Sequence, residues 1–273
     1  MRNLFFLLFL TVSISSCSKI HLFGNKDSFS KALKSTDYEY KLRMAEKYYI
    51  NKDYNHAQQL YDDLFRVMKG TDHFEDIYYK YAYCAFYLKD YSSAENLFKG
   101  FVEAFPNSQK SDEMEFMRAF SFYKESPKFE LDQTNTTKAI GFLQAYVNTH
   151  PGSDRAKEAL DYIEKSRQKL ERKDYENAVL YYNLKYYRAA VITFTTLMNS
   201  YPDSEKSDEY KWYIIRSNYQ FATESTEEKK QARFEQVVAD CNDFMDRFPE
   251  SKLKKNVQEY LDLSSNNIKT IQQ

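Results

Sequence analysis

Four stretches of the chain share one apolar register. A small residue or valine (Ala94, Ala139, Ala190, Val237) is followed four positions later by Phe98, Leu143, Phe194 or Cys241. Seven positions later comes Phe101, Tyr146, Leu197 or Phe244. Offsets of four and seven put side chains on one face of an α-helix. Twelve positions on, each stretch reaches a proline, in Phe105-Pro106-Asn107-Ser108, His150-Pro151-Gly152-Ser153, Tyr201-Pro202-Asp203-Ser204 and Phe248-Pro249-Glu250-Ser251. Proline stops a helix, and a serine two residues later can cap the next one.

The helices ahead of these repeat as well. Ala45, Ala82 and Ala119 are spaced 37 apart. In Ala45/Ala57, Ala82/Ala94 and Ala178/Ala190 a small residue precedes the second-helix alanine by twelve positions, and Tyr54, Tyr91 and Tyr187 open the second helices. Small residues let paired helices approach closely, and the aromatics fill the space beside them. Ser108 to Glu113 (SQKSDE) and Ser204 to Glu209 (SEKSDE) are nearly the same string in two hairpins. This pattern resembles the tetratricopeptide repeat (TPR), with helices and loops longer than its usual period of about 34. It predicts helix pairs at 37–51 with 54–68, 73–88 with 91–105, 109–124 with 136–149, 154–184 with 187–201, and 206–222 with 228–248. A capping helix over 252–268 follows. The stretch from Ala156 to Asn183 has no Gly or Pro and reads as one long helix, with Lys173-Asp174 as the alternative break. The predicted fold is all-α: a TPR-like α-solenoid of about five helical hairpins plus a C-terminal capping helix. Residues 36–151 hold hairpins one to three, and 152–268 hold hairpins four and five with the cap.

Composition narrows the picture in the same direction. Only 5 glycines and 5 prolines occur in 273 residues, too few for the tight turns of a sheet protein. A net charge of −1 without a long Lys or Arg run argues against a nucleic-acid partner.

The first residues read differently. Arg2 precedes an apolar run from Leu4 to Ile14, too short to span a bilayer and suited to a signal peptide. Ser15 and Ser16 lead into Cys17, and Ile14-Ser15-Ser16-Cys17 resembles a loose bacterial lipobox. That resemblance implies a signal peptide over 1–16, acylation (palmitate among the chains) of Cys17, and a lipidated flexible tether over 17–35. The alternative is an ordinary secretory signal with an incidental cysteine. Several acyl chains anchor stably where one is marginal. The tether would reach about 60 Å fully extended.

Chemistry is sparse. His21, His56, His73 and His150 are scattered, the glycines never cluster, and no GxSxG, HExxH or CxxC spacing occurs. Cys84 and Cys241 fall in helical patterns and read as small buried hydrophobes. No enzyme, cofactor, metal site or small-molecule substrate is expected. The aromatic positions are more suggestive. First helices of TPR hairpins line the concave wall, and register aims Leu42, Tyr49, Tyr79, Tyr83, Phe86, Phe116, Phe120 and Tyr123 toward it. These side chains either form a groove for a peptide with apolar side chains or pack against the next hairpin.

The lipobox, five TPR-like hairpins and aromatic-Pro-x-Ser endings together resemble the BamD family, lipoprotein subunits of the outer-membrane β-barrel assembly machinery (the BAM complex). The nearest stretch runs from Leu170 through Ser204, with Glu176, Ala178, Tyr181 and Tyr182 on the long helix. The resemblance implies an anchored protein of the outer membrane that faces the periplasm. Its amino-terminal hairpins would bind unfolded outer-membrane proteins. Its carboxy-terminal hairpins, around Tyr182, Tyr187 and Thr193, would dock on a BamA-type barrel protein for insertion of those proteins into the membrane. Thr193 stands where familiar members carry an arginine, so their docking ion pair does not transfer. The alternative function is another envelope TPR lipoprotein that coordinates cell-wall or division proteins.

Overall fold

The computed structural model describes residues 24–273, and the described chain is helical throughout, with no strand. Two compact units meet at Ser111. The signal peptide over 1–16 and Cys17 lie outside the described residues.

The first unit holds α1 (Gly24–Lys34), α2 (Tyr38–Ile50), α3 (Tyr54–Val67), α4 (Phe74–Tyr87) and α5 (Tyr91–Ala104). Within the tether expected over 17–35, the described residues 24–34 form the helix α1. Ala32 on α1 is fully buried, and the Phe29 ring packs at 5.8 Å on Tyr48 and 4.1 Å on His56. Buried Lys41 on α2 donates to the Leu33 carbonyl at 3.1 Å, near the end of α1, and pairs with Asp63 on α3. A cation at a helix C-terminus meets unsatisfied carbonyls and the negative end of the helix dipole, so α1 is held by both packing and charge.

Each hairpin in this unit turns by the same device. Leu88 ends α4, Lys89 follows at φ 64°, and Asp90 caps α5 by accepting from Ser93 N–H at 3.1 Å. The Lys89 N–H reaches the Phe86 carbonyl and the Asp90 N–H reaches the Ala85 carbonyl, each at 3.0 Å. This is a Schellman turn, which usually places glycine in the left-handed position. Lys52 (φ 60°) and Lys185 (φ 62°) occupy the same place in two other hairpins.

The second unit runs from Asp112 and contains α6 (Ser111–Glu125), α7 (Thr134–Thr149), α8 (Asp154–Asn183), α9 (Tyr187–Ser200), α10 (Ser207–Thr223), α11 (Glu227–Arg247) and α12 (Lys254–Ile271). The 30-residue α8 is unbroken through Lys173-Asp174. The division at Ser111 comes one hairpin earlier than the expected boundary after 151. Aromatic packing accounts for it: Phe120 and Tyr123 on α6 lie 4.8 Å and 4.5 Å from Tyr162 on α8, tying the third hairpin to the fourth.

The repeated register builds the cores. Ala94, Phe98 and Phe101 are fully buried in the first unit; Ala139, Leu143, Ala190, Phe194, Val237, Cys241 and Phe244 are fully buried in the second. Cys84 and Cys241 are buried free thiols, and burial pushes each up to about 12. The pre-proline residues Phe105, His150, Tyr201 and Phe248 are driven out of helical geometry, at φ between −123° and −132°. Only Ser153 then caps the next helix, accepting from Ala156 N–H at 3.0 Å. Ser108 and Ser251 instead tie the turn that ends a hairpin back to the first helix of the same hairpin, donating to Glu75 at 2.7 Å and Asp208 at 2.6 Å.

Candidate functional site

Two surfaces emerge, one in each unit. In the first unit the expected groove rings form a chain. Tyr79 and Tyr83 on α4 lie 4.9 Å apart, Tyr83 is 5.6 Å from Tyr87, and Tyr87 stacks on Tyr54 of α3 at 4.4 Å. Tyr54 meets Tyr49 of α2 edge-on at 5.7 Å, and Phe86 meets Tyr91 and Phe98 of α5. Tyr49, Tyr79 and Phe86 remain half-buried, whereas Tyr83 is only 6% exposed. Leu42 is a correction: it sits in the core with Ala45, Leu60 and Leu64 and lines no groove. Sequence reasoning missed Tyr54 and Tyr87, of which Tyr87 is the most open ring of the strip. Burial holds the Tyr49 hydroxyl above its ordinary range, with Tyr87 as the next contributor, so the Tyr49 phenol stays neutral and keeps its O–H donor. The Lys110 ammonium sits 4.8 Å over the Tyr79 ring.

The second unit carries its own part of the expected set. Phe120 stacks on Phe116 at 5.8 Å and on Tyr123 at 5.9 Å. Phe116 is fully buried under Arg155 and against Tyr146, so it too is core and its assignment to a groove is corrected. Phe120 and Tyr123 are half-buried around Tyr162. Burial and the hydrogen bond it donates to Glu158 push the Tyr162 hydroxyl up to about 12.

The expected docking residues are also in this unit, and only some reach the surface. Tyr187 is buried at the start of α9. Tyr182 is half-buried, 5.9 Å from Tyr187 and 5.4 Å from Tyr213. Thr193 donates back to the Ala189 carbonyl at 2.8 Å and faces a 530 Å³ cavity between α8 and α9. Asp174, Asn177, Leu180, Tyr181 and Thr196 share that cavity. On the same two helices and the turn between them, Leu180, Leu184, Tyr186 and Ile192 are each more than half exposed, apolar surface where polar residues are more usual. The signal for the patch was available. On α8 and α9 the buried stripe passes through Ala178, Ala190, Phe194 and Leu197, and these apolar residues fall off it.

Among the described residues no group of three or more His, Cys, Asp or Glu is placed to hold a metal ion, and no helix is long and apolar enough to cross a membrane.

No curated protein sequence matches the chain. Among solved structures, one that it resembles is the TPR2AB-domain:pHSP90-complex of yeast Sti1, at 12% identity and a TM-score of 0.40, with 85% of this chain and 84% of that chain covered. A family model described as YfiO, outer membrane lipoprotein, matches residues 39–233, from the first turn of α2 into α11. With that match over most of the chain, the protein belongs to the YfiO family of outer membrane lipoproteins, the BamD family.

Proposed function

We propose that the protein is a lipid-anchored scaffold of the β-barrel assembly machinery, held at the outer membrane through Cys17 and facing the periplasm. In this reading the ring strip of the first unit binds unfolded outer-membrane proteins. The patch around α8 and α9 docks a BamA-type barrel protein. The observation that supports it best is the pairing of family membership with two unlike surfaces on separate units. The ring strip is aromatic and half-open, suited to transient contact with exposed apolar side chains at low entropy cost. The second surface is apolar and open, with exposed Leu180 also lining a cavity, the form of a stable protein contact.

Depletion of the protein, followed by quantification of outer-membrane barrels, tests this. Barrel levels should fall, and a BamA-type protein should co-purify from detergent-solubilised membranes. Normal barrel levels in a viable deletion strain, with peptidoglycan synthases in the purified complex, would support cell-wall or division coordination instead.

A further inference from the structure

Arg216, on α10 of the second unit, sits among three aromatic rings. Its guanidinium carbon lies 4.6 Å from the centre of the Tyr182 ring, 5.3 Å from Tyr213 and 5.7 Å from Trp212. Among the described residues it makes no ion pair or hydrogen bond, only these ring contacts. The cations of the same unit that are spent on structure look different: Lys211, on the same helix, is buried and pairs with Asp240 at 2.9 Å and Asp243 at 2.7 Å. Aromatic faces attract a guanidinium and fix its plane, yet they take none of its N–H donors. Arg216 is therefore oriented by the rings, with its hydrogen-bonding edge uncommitted to other side chains.

The surroundings select the class of ligand. Tyr260 on α12 meets Trp212 at 5.0 Å and Tyr219 at 4.9 Å, extending the rings around Arg216 into a wall across α8, α10 and α12. Tyr182, Trp212, Tyr213, Tyr219 and Tyr260 are all half-buried, so each ring remains partly accessible. The electrostatic neighbours of the Tyr182 hydroxyl are Arg216 and other tyrosines, with no carboxylate among them. One cation with a planar fork matches one carboxylate, bidentate. A membrane surface or a polyphosphate would call for several cations together. The rings would cover apolar side chains beside that carboxylate, and their hydroxyls would bond its backbone.

We propose that this wall is a binding site for an acidic peptide segment, with Arg216 receiving a carboxylate side chain flanked by aromatic or aliphatic residues. The site shares Tyr182 with the expected docking residues but is centred on Arg216, which neither the ring strip nor the α8–α9 patch uses, so its test stands whether or not those surfaces have the role given above.

The chain contains a single tryptophan, Trp212, so its fluorescence reports this site alone. The full chain in detergent is titrated with a doubly capped peptide Ser-Phe-Glu-Phe-Ser and with its Gln counterpart, reading Trp212 emission. The Glu peptide should bind about tenfold or more tighter than the Gln peptide. Arg216→Gln should erase that preference, and Arg216→Lys should keep part of it. Circular dichroism and the thermal midpoint of each variant show whether the fold is intact. Should Arg216→Gln unfold, the Glu and Gln peptides on the unaltered chain decide alone. Equal binding of the two peptides, no binding of either, or a preference that survives in folded Arg216→Gln overturns the proposal. Binding only to anionic phosphatidylglycerol vesicles overturns it in favour of a lipid site.

Discussion

At the scale of single residues, the units depend on a few tightly constrained contacts. A Cβ at Gly100 of α5 would run into the Tyr78 hydroxyl of α4, so the only side chain that fits there is none. Gly100→Ala should lower stability by about 1–3 kcal/mol, measured by urea unfolding, despite the better helix propensity of alanine. The Lys211–Asp240 pair is a second such point, because Asp240 also accepts from Asn218 at 2.8 Å. Burial alone would lower the Lys211 pKa, but hydrogen bonds to Asp243 and Asp240 raise it above its ordinary value. Asp240→Ala strands part of that charge and should cost about 3 kcal/mol. The double variant Lys211→Met, Asp240→Leu should recover most of the loss in the same assay. An unchanged midpoint in Asp240→Ala would show that Asp243 alone satisfies the lysine.

At the scale of elements, the helices were readable because their signals are local. The small-large-large register and the prolines marked α5, α7, α9 and α11, and the alanines at 37-residue spacing marked α2, α4 and α6. The helix α1 was not readable. Its inward contacts come from Phe29 and Ala32, too few to show a period, and its fixing cation, Lys41, lies on another helix. Groove residues were half readable. First helices of stacked hairpins are apolar on more than one face, so sequence alone does not separate Leu42 and Phe116, which turn inward, from Tyr79 and Phe120, which stay half-open. Arg216 was invisible for another reason: being unpaired is a property of the space around a side chain. The turns make an element-scale prediction. Lys89 holds a left-handed backbone that costs a side chain about 1 kcal/mol. Lys89→Gly should therefore stabilise the first unit by about 0.5 kcal/mol after its extra chain entropy. A drop in the urea midpoint would mean that the Lys89 side chain contributes more than its backbone strain removes.

At the scale of the whole molecule, charge balance governs the response to acid. The chain is close to neutral at pH 7, with a sequence pI near 6.5. Asp76 and Asp243 have pKa values below the ordinary carboxylate range: burial pushes each up, but Lys80 and Lys110 outweigh it at Asp76, and Lys211 and Arg247 outweigh it at Asp243. A depressed folded pKa means the unfolded chain takes up protons first. The stabilisation is thus complete above about pH 5 and is lost as pH falls through the folded values below about 4. The thermal midpoint should hold level from pH 8 to 5 and then fall. Asp76→Asn and Asp243→Asn should each start lower and lose less across the acid limb. A variant that keeps the full acid loss would remove its carboxylate from this account.

The docked helix α1 changes how force would enter a chain anchored as proposed. A slack leash absorbs tension by straightening, and nothing downstream feels it until the slack is gone. With the anchor proposed at Cys17, the seven residue steps to Gly24 span at most about 25 Å before α1 takes the strain. A tug arriving from the amino-terminal side would first work against the seat of Phe29 and Ala32 and the Lys41 clasp. Anything that loosens that clasp would lengthen the leash by the eleven residues of α1.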